Sequence, residues 1–166
     1  IDMAVGVIIG GKPYHGMIHP EGGHIFVHRR PDDPMAKGIC PYHGNCLEGL
    51  ASGPAIERRW GRKGAELSDC LAVWELEAFY IGQAICTYIC TLSPERIVVG
   101  GGVMHQEQML PMIRQEVRRQ MHGYIQGKGM DKLEEYIVPV SLGDNQGVMG
   151  GVKLAMDAYI EEGGTL

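Results

Sequence analysis

Apolar residues cluster in short β-branched runs near the start of the chain and recur three or four apart further along, so strands are expected first and helices later. Residues 5–9 form one such run. It ends at Gly10-Gly11-Lys12-Pro13, a hairpin turn by composition, with 14–18 as the returning strand and 24–30 as a third. The polar stretch Arg30-Pro31-Asp32-Asp33-Pro34 suits neither a regular helix nor a central strand. A short helix is expected over 46–50 and another from Pro54 to Trp60, with Ser52 able to cap it and proline tolerated in its first turn. The spacing of Leu71, Trp74, Leu76, Tyr80, Ile85 and Ile89 predicts the longest helix over 68–91, with Ser68 as its cap.

Residues 96–100 are expected to form a buried strand running into Gly100-Gly101-Gly102, and 106–122 an amphipathic helix with Arg114, Arg118 and Arg119 on its polar side. A further strand over 136–140 leads to Gly143-Asp144-Asn145-Gln146-Gly147 and a last helix to about Tyr159. Strands first, then strands alternating with helices, favour an α/β sheet covered by helices. Ligands of such sheets sit beyond the carboxyl ends of strands, where both glycine loops fall. Two loops of this kind suggest a nucleotide, although neither is a Walker A sequence.

The 166 residues, 45% of them hydrophobic, suffice for one domain with a core. A net charge of -5 gives no electrostatic case for nucleic acid. No apolar run approaches the roughly 20 residues that cross a bilayer, and no charged segment followed by an apolar one heads the chain. A small-molecule role in the cytoplasm is the expectation. The 25 glycines, many in clusters, mark turns or places of close backbone approach.

The sharpest chemistry lies in Cys40-Pro41-Tyr42-His43-Gly44-Asn45-Cys46. Its Cys-x2-His-x2-Cys spacing offers three donors to one tetrahedral zinc, and His24, beyond the Gly22-Gly23 pair, is the nearest upstream candidate for a fourth. Buried thiols packed as small hydrophobes are the plain alternative. A Cys40–Cys46 disulfide is less attractive, because Cys70, Cys86 and Cys90 lie in apolar stretches and suggest a reducing compartment. Four protein ligands would close the coordination sphere and make the zinc structural, with no vacant position to activate water.

Taken in order, Pro20-Glu21-x-Gly23-His24, the cysteine loop with its following Leu47-Glu48-Gly49-Leu50-Ala51-Ser52-Gly53, Val98-Val99-Gly100-Gly101-Gly102-Val103-Met104 and Leu142-Gly143-Asp144-Asn145-Gln146-Gly147 resemble the ROK family of sugar kinases and repressors. Most of that family has Cys-x-Cys-Gly-x2-Gly-Cys in the loop, whereas the histidine form here resembles the bacterial fructokinase branch. The resemblance implies an actin-like, ribonuclease H-like α/β domain, with a mixed sheet, flanking helices and a zinc-bound loop over 24–46. It also implies that residues 1–166 correspond to the C-terminal domain of a two-domain kinase. The family's N-terminal phosphate-loop domain and the segment with its catalytic aspartate are absent from them. Residues 1–6 depart from the family's Gly-Thr-Gly-Ile-Gly, and Ile1 is no initiator, so a fragment or processed product is expected.

Carried over residue by residue, the resemblance places Glu21, His24 and Glu48 at a hexose, with His24 bound to zinc through its other ring nitrogen. His24, Cys40, His43 and Cys46 hold the metal, and Gly100, Gly101 and Gly102 lie near the adenosine of ATP, which enters with Mg2+ in the complete enzyme. The implied reaction moves the γ-phosphate of ATP to the 6-hydroxyl of fructose. No catalytic aspartate is identified: Asp2 is not promoted, and Asp144 is taken as a turn residue. The alternative is a sugar-binding or dimerisation module of a ROK-type repressor. A homodimer is expected, with the two long helices as its face, and no partner nucleic acid or membrane.

Overall fold

The computed structural model describes residues 3–165, so Asp2 lies outside the described residues. A hairpin opens the chain, with β1 (Ile8–Ile9) antiparallel to β2 (Lys12–Pro13). Gly10 and Gly11 make its turn at φ 59° and 79°, and one further rung, Tyr14 N–H to the Val7 carbonyl, extends it. The expected hairpin is therefore present but short, and 12–13 belong to the returning strand rather than the turn.

The expected third strand over 24–30 does not form. Gly22–His24 is a 3-10 turn, and only Phe26 bridges to another strand-like residue, Cys46. The physical reason is that side chains of a helix satisfy this backbone: Gln83 bonds both the N–H and the C=O of His28, and the Tyr80 hydroxyl accepts from Arg30 N–H.

Two short helices follow, α1 (Leu47–Ala51) and α2 (Gly53–Trp60), and Ser52 caps α2 through the Ala55 N–H as expected. The long helix α3 (Leu71–Leu92) starts three residues later than its sequence pattern suggests, because Ser68 donates back to the Ala65 carbonyl at the end of a 3-10 turn. Beyond it come β3 (Ile97–Val99), α4 (Met109–Met121), the single-turn α5 (Leu133–Tyr136), β4 (Ile137–Pro139) and α6 (Gln146–Glu161). β3 and β4 run parallel, with Ile97 opposite Ile137. Among the described residues the strands make two separate pairs and no single mixed sheet. β3 is covered on one face only, so Val98 is exposed where a buried strand was expected.

The core sits where α3 crosses α1 and α4. Trp74, Leu76, Tyr80, Ile85 and Ile89 of α3 pack with Leu50, Ile56, Met109, Ile113 and Val117, each buried to within a few per cent. Burial of such a side chain contributes roughly 1.5–3 kcal/mol. Gly82 lets α4 approach, since a Cβ there would lie 2.9 Å from Glu116 Cβ. Arg114, expected on a solvated face, instead donates to the carbonyls of Glu134 and Ile137 and so ties α4 to the start of β4. Among the described residues, no helix is long and apolar enough to cross a membrane.

Candidate metal centre and the cavity beside it

Three pieces of chain converge on one point. The Gly22–His24 turn is fixed by the Tyr88 hydroxyl, which donates to the Gly22 carbonyl at 2.8 Å, and it presents His24. The cysteine loop folds on itself through Gly44 N–H to the Cys40 carbonyl, and presents Cys40 and His43. Cys46 is the N-cap of α1, its Sγ accepting from Gly49 N–H at 3.4 Å. Gly49 is required here: a Cβ would fall 2.0 Å from the Gly44 carbonyl oxygen and 3.0 Å from Cys40 Cβ.

The donor atoms of His24, Cys40, His43 and Cys46 all lie within 4.8 Å of one another. His24 Nδ1 is 3.8 Å from Cys40 Sγ and 3.6 Å from Cys46 Sγ, and His43 Nδ1 is 3.7 Å from Cys40 Sγ. A tetrahedral ion bound at about 2.3 Å to sulfur and about 2.0 Å to nitrogen needs donor–donor edges of roughly 3.4–3.8 Å, which these three sulfur–nitrogen separations match, so the donor set suits such an ion with the wider pairs drawn in around it. The thiols differ in acidity. Amide donation from His43 leads the effects that bring Cys40 down to about 6, whereas burial pushes Cys46 up.

The other ring nitrogen of His24 faces away from this cluster, with Nε2 3.9 Å from Glu48 Oε1. There a cavity of about 370 Å³ opens, lined by Glu21, His24 and Glu48 together with His19, Tyr42 and Met3. The structure thus brings together the three residues expected at a sugar. Gly100, Gly101 and Gly102 do not line this cavity. They follow β3, with Gly101 at φ +99° and Gly100 so close to β4 that a Cβ would lie 2.5 Å from Val140 Cγ1. His105 Nε2 and Asp144 Oδ1, 3.0 Å apart, join the turn after β3 to the turn after β4, so the two glycine loops are neighbours and Asp144 is a turn residue.

Sequence reasoning missed the buried ionic brace behind α1. Arg59 donates to Asp33 Oδ1 at 2.8 Å, to Glu77 Oε1 at 3.0 Å and to the Leu50 carbonyl at 2.7 Å, and the Tyr80 hydroxyl donates to Asp33 Oδ2 at 2.6 Å. Both ion pairs are fully buried. One guanidinium serves two carboxylates, and burial pushes Glu77 up to about 8. Among the described residues its Oε2 has no hydrogen-bond partner, which makes it the natural site of the proton. Asp33 also accepts from Met35 N–H, so the brace fixes both α1 and the approach to the cysteine loop. The only sequence signal was Asp33 inside a proline-rich stretch, which resembles a solvated loop.

The chain is 49% identical over 161 residues to a putative fructokinase of Bacillus subtilis, covering 96% of this chain and 54% of that protein. It is 45% identical to a fructokinase of Zymomonas mobilis, covering 92% and 50%. It spans about half the length of these curated relatives. In fold it is similar to a ROK hexokinase from Thermus thermophilus, with a TM-score of 0.69 at 23% identity over 87% of this chain and 50% of that one. A ROK family glucokinase from Streptomyces griseus, solved with glucose and AMPPNP, gives a TM-score of 0.67 at 24% identity over 90% and 55%. The motifs that frame the metal cluster and the cavity fall inside residues 3–158, the span matched by the ROK family model, and the chain belongs to the ROK family.

Proposed function

We propose that this chain supplies the sugar-binding and zinc-bound half of an ATP-dependent fructokinase. One observation carries the reading: His24 turns one ring nitrogen to a four-donor cluster and the other toward Glu48, in a cavity that Glu21 also lines. Carboxylates accept from pairs of sugar hydroxyls, and a site built on such bonds rejects analogues that lack them. Zinc on His24, Cys40, His43 and Cys46 would hold the loop and fix the imidazole's tautomer and orientation, so that Nε2 stays poised for a hydroxyl. Its role is structural.

The transferred group is the γ-phosphate of ATP, accompanied by Mg2+, and the acceptor is the 6-hydroxyl of fructose. Gly100–Gly102 and the adjoining 143–147 turn are the nucleotide side of the site. Phosphoryl transfer depends on positioning and charge stabilisation, and the residues here position the sugar. No base is assigned among them. The rest of the machinery belongs to the half of the relatives that this chain does not match.

The surface supports such a partner half. α6 buries none of its residues, and Ile8 and Ile9 of the hairpin are equally uncovered. Lys12 of the hairpin reaches Glu161, at the end of α6, at 3.6 Å. The test is metal content together with ATP-dependent phosphorylation of fructose by the purified 166-residue chain. One zinc per chain without turnover is expected. Turnover would overturn the half-site reading, because a base would then have to lie within these residues, and zinc-free protein would overturn the metal assignment.

A further inference from the structure

An apolar groove of about 450 Å³ lies between α3 and α4. Cys86 and Cys90, one helical turn apart, line it with Met121. The threonines and the glutamine around them are already engaged. Thr87 and Thr91 donate to the carbonyls one turn back, and the Gln120 amide donates to the Phe79 carbonyl and to Glu116. Tyr124, 83% exposed, adds a phenol at the rim, and the two cysteines are the thiol donors of the groove. Cys86 has only a weak contact, 3.9 Å to the Val117 carbonyl, and Cys90 is exposed.

The spacing decides what the pair can do. Residues four apart on a helix hold their Cβ atoms about 5–6 Å apart. A disulfide needs roughly 3.5–4.5 Å between them, so oxidation cannot close this pair without unwinding α3. A single ion that binds both sulfurs spans the longer gap, and thiolate and thioether donors select soft ions. We infer that Cys86 and Cys90 form a chelating site for a thiophilic ion, of the class of monovalent copper or trivalent arsenic, with Met121 as the neighbouring sulfur.

Burial holds the Cys86 thiol up at about 11, so binding must displace its proton and favours ions with strong bonds to sulfur. Zinc is better served by the His24 cluster, which offers four donors within 4.8 Å of one another.

The probe is phenylarsine oxide, applied to the zinc-loaded chain. Each of two thiols forms an As–S bond, the As=O bond breaks, and the two thiol protons leave with the oxygen as one water, with no change in oxidation state. Peptide mapping of the adduct should show one arsenical bridging Cys86 and Cys90. Cys86→Ser and Cys90→Ser should each weaken capture by about a hundredfold, since the second bond forms intramolecularly. Cys70→Ser should leave it unchanged. An adduct that spares Cys86 and Cys90, or one that survives either serine substitution at full affinity, would overturn the site. Circular dichroism of the variants distinguishes a lost chelate from a lost helix.

Discussion

α4 and α6 both carry apolar residues at helical spacing, α6 the more of them, yet they meet opposite fates. Met109, Ile113, Val117 and Met121 of α4 are at most 5% exposed, whereas Val148, Met149, Val152, Leu154, Met156 and Ile160 of α6 remain 38–69% exposed. The difference lies in what stands opposite. α4 meets α3 at Gly82, where backbone and side chain come close, while a Cβ added at Gly147, Gly150 or Gly151 of α6 would meet nothing within 4 Å. Helical periodicity states which face seeks cover but not whether this chain provides it. In the proposed kinase, the face of α6 belongs against the other half.

The largest effect should come from the packed region. Arg59→Ala would leave the Asp33 carboxylate buried without its cation and remove the donor to Glu77, and a loss of about 3–5 kcal/mol is expected in denaturant unfolding. On α6, Lys153→Ala breaks only the exposed pair with Asp157 and should change stability by less than about 0.5 kcal/mol. Next, Ile113→Ala in α4 should cost about 3 kcal/mol, and Val152→Ala in α6 less than about 0.5 kcal/mol. Equal costs would break the comparison by showing that α6 is buried in solution, against a second copy of the chain.

Glu77 sharpens the contrast through pH. Its carboxyl, ordinarily near 4.5, is held at about 8 in the fold, so between these values the folded state binds a proton that the unfolded state has released. Stability therefore falls as pH rises through that window, by at most about 1.4 kcal/mol per unit. Thermal unfolding of Glu77→Gln across the same range should show a flatter profile. The smallest effect is expected at Gly150→Ala, which should stabilise the isolated chain by about 0.5–1 kcal/mol, because nothing opposes the added methyl group and helix propensity improves.

Much of the centre was legible in sequence because its chemistry is local. The Cys-x2-His-x2-Cys spacing and the glycines that allow close folding announced the convergence of His24, Cys40, His43 and Cys46, and Ser52 announced the start of α2. What was not legible depends on distant partners. The backbone of residues 28–30 alternates like a strand but is satisfied by Gln83 and Tyr80, more than 45 positions away. Asp33 sat in a stretch legible only as polar and proline-rich, and its side chain proved to be fully buried against Arg59. Ser68 had the chemistry of a cap, yet a local turn captured its hydroxyl. Arg114 was placed on a polar face and instead holds β4.

The central claim is that a metal held by His24, Cys40, His43 and Cys46 orders a sugar pocket at Glu21, His24 and Glu48. Titration of fructose into the zinc-loaded and the zinc-stripped chain, followed by calorimetry, tests it most directly. The account predicts binding to the zinc-loaded chain and at least a tenfold loss of affinity on stripping, since supporting residues and metals of this kind set the orientation of the imidazole. Equal affinity in both forms, or no binding to the zinc-loaded chain, would contradict it.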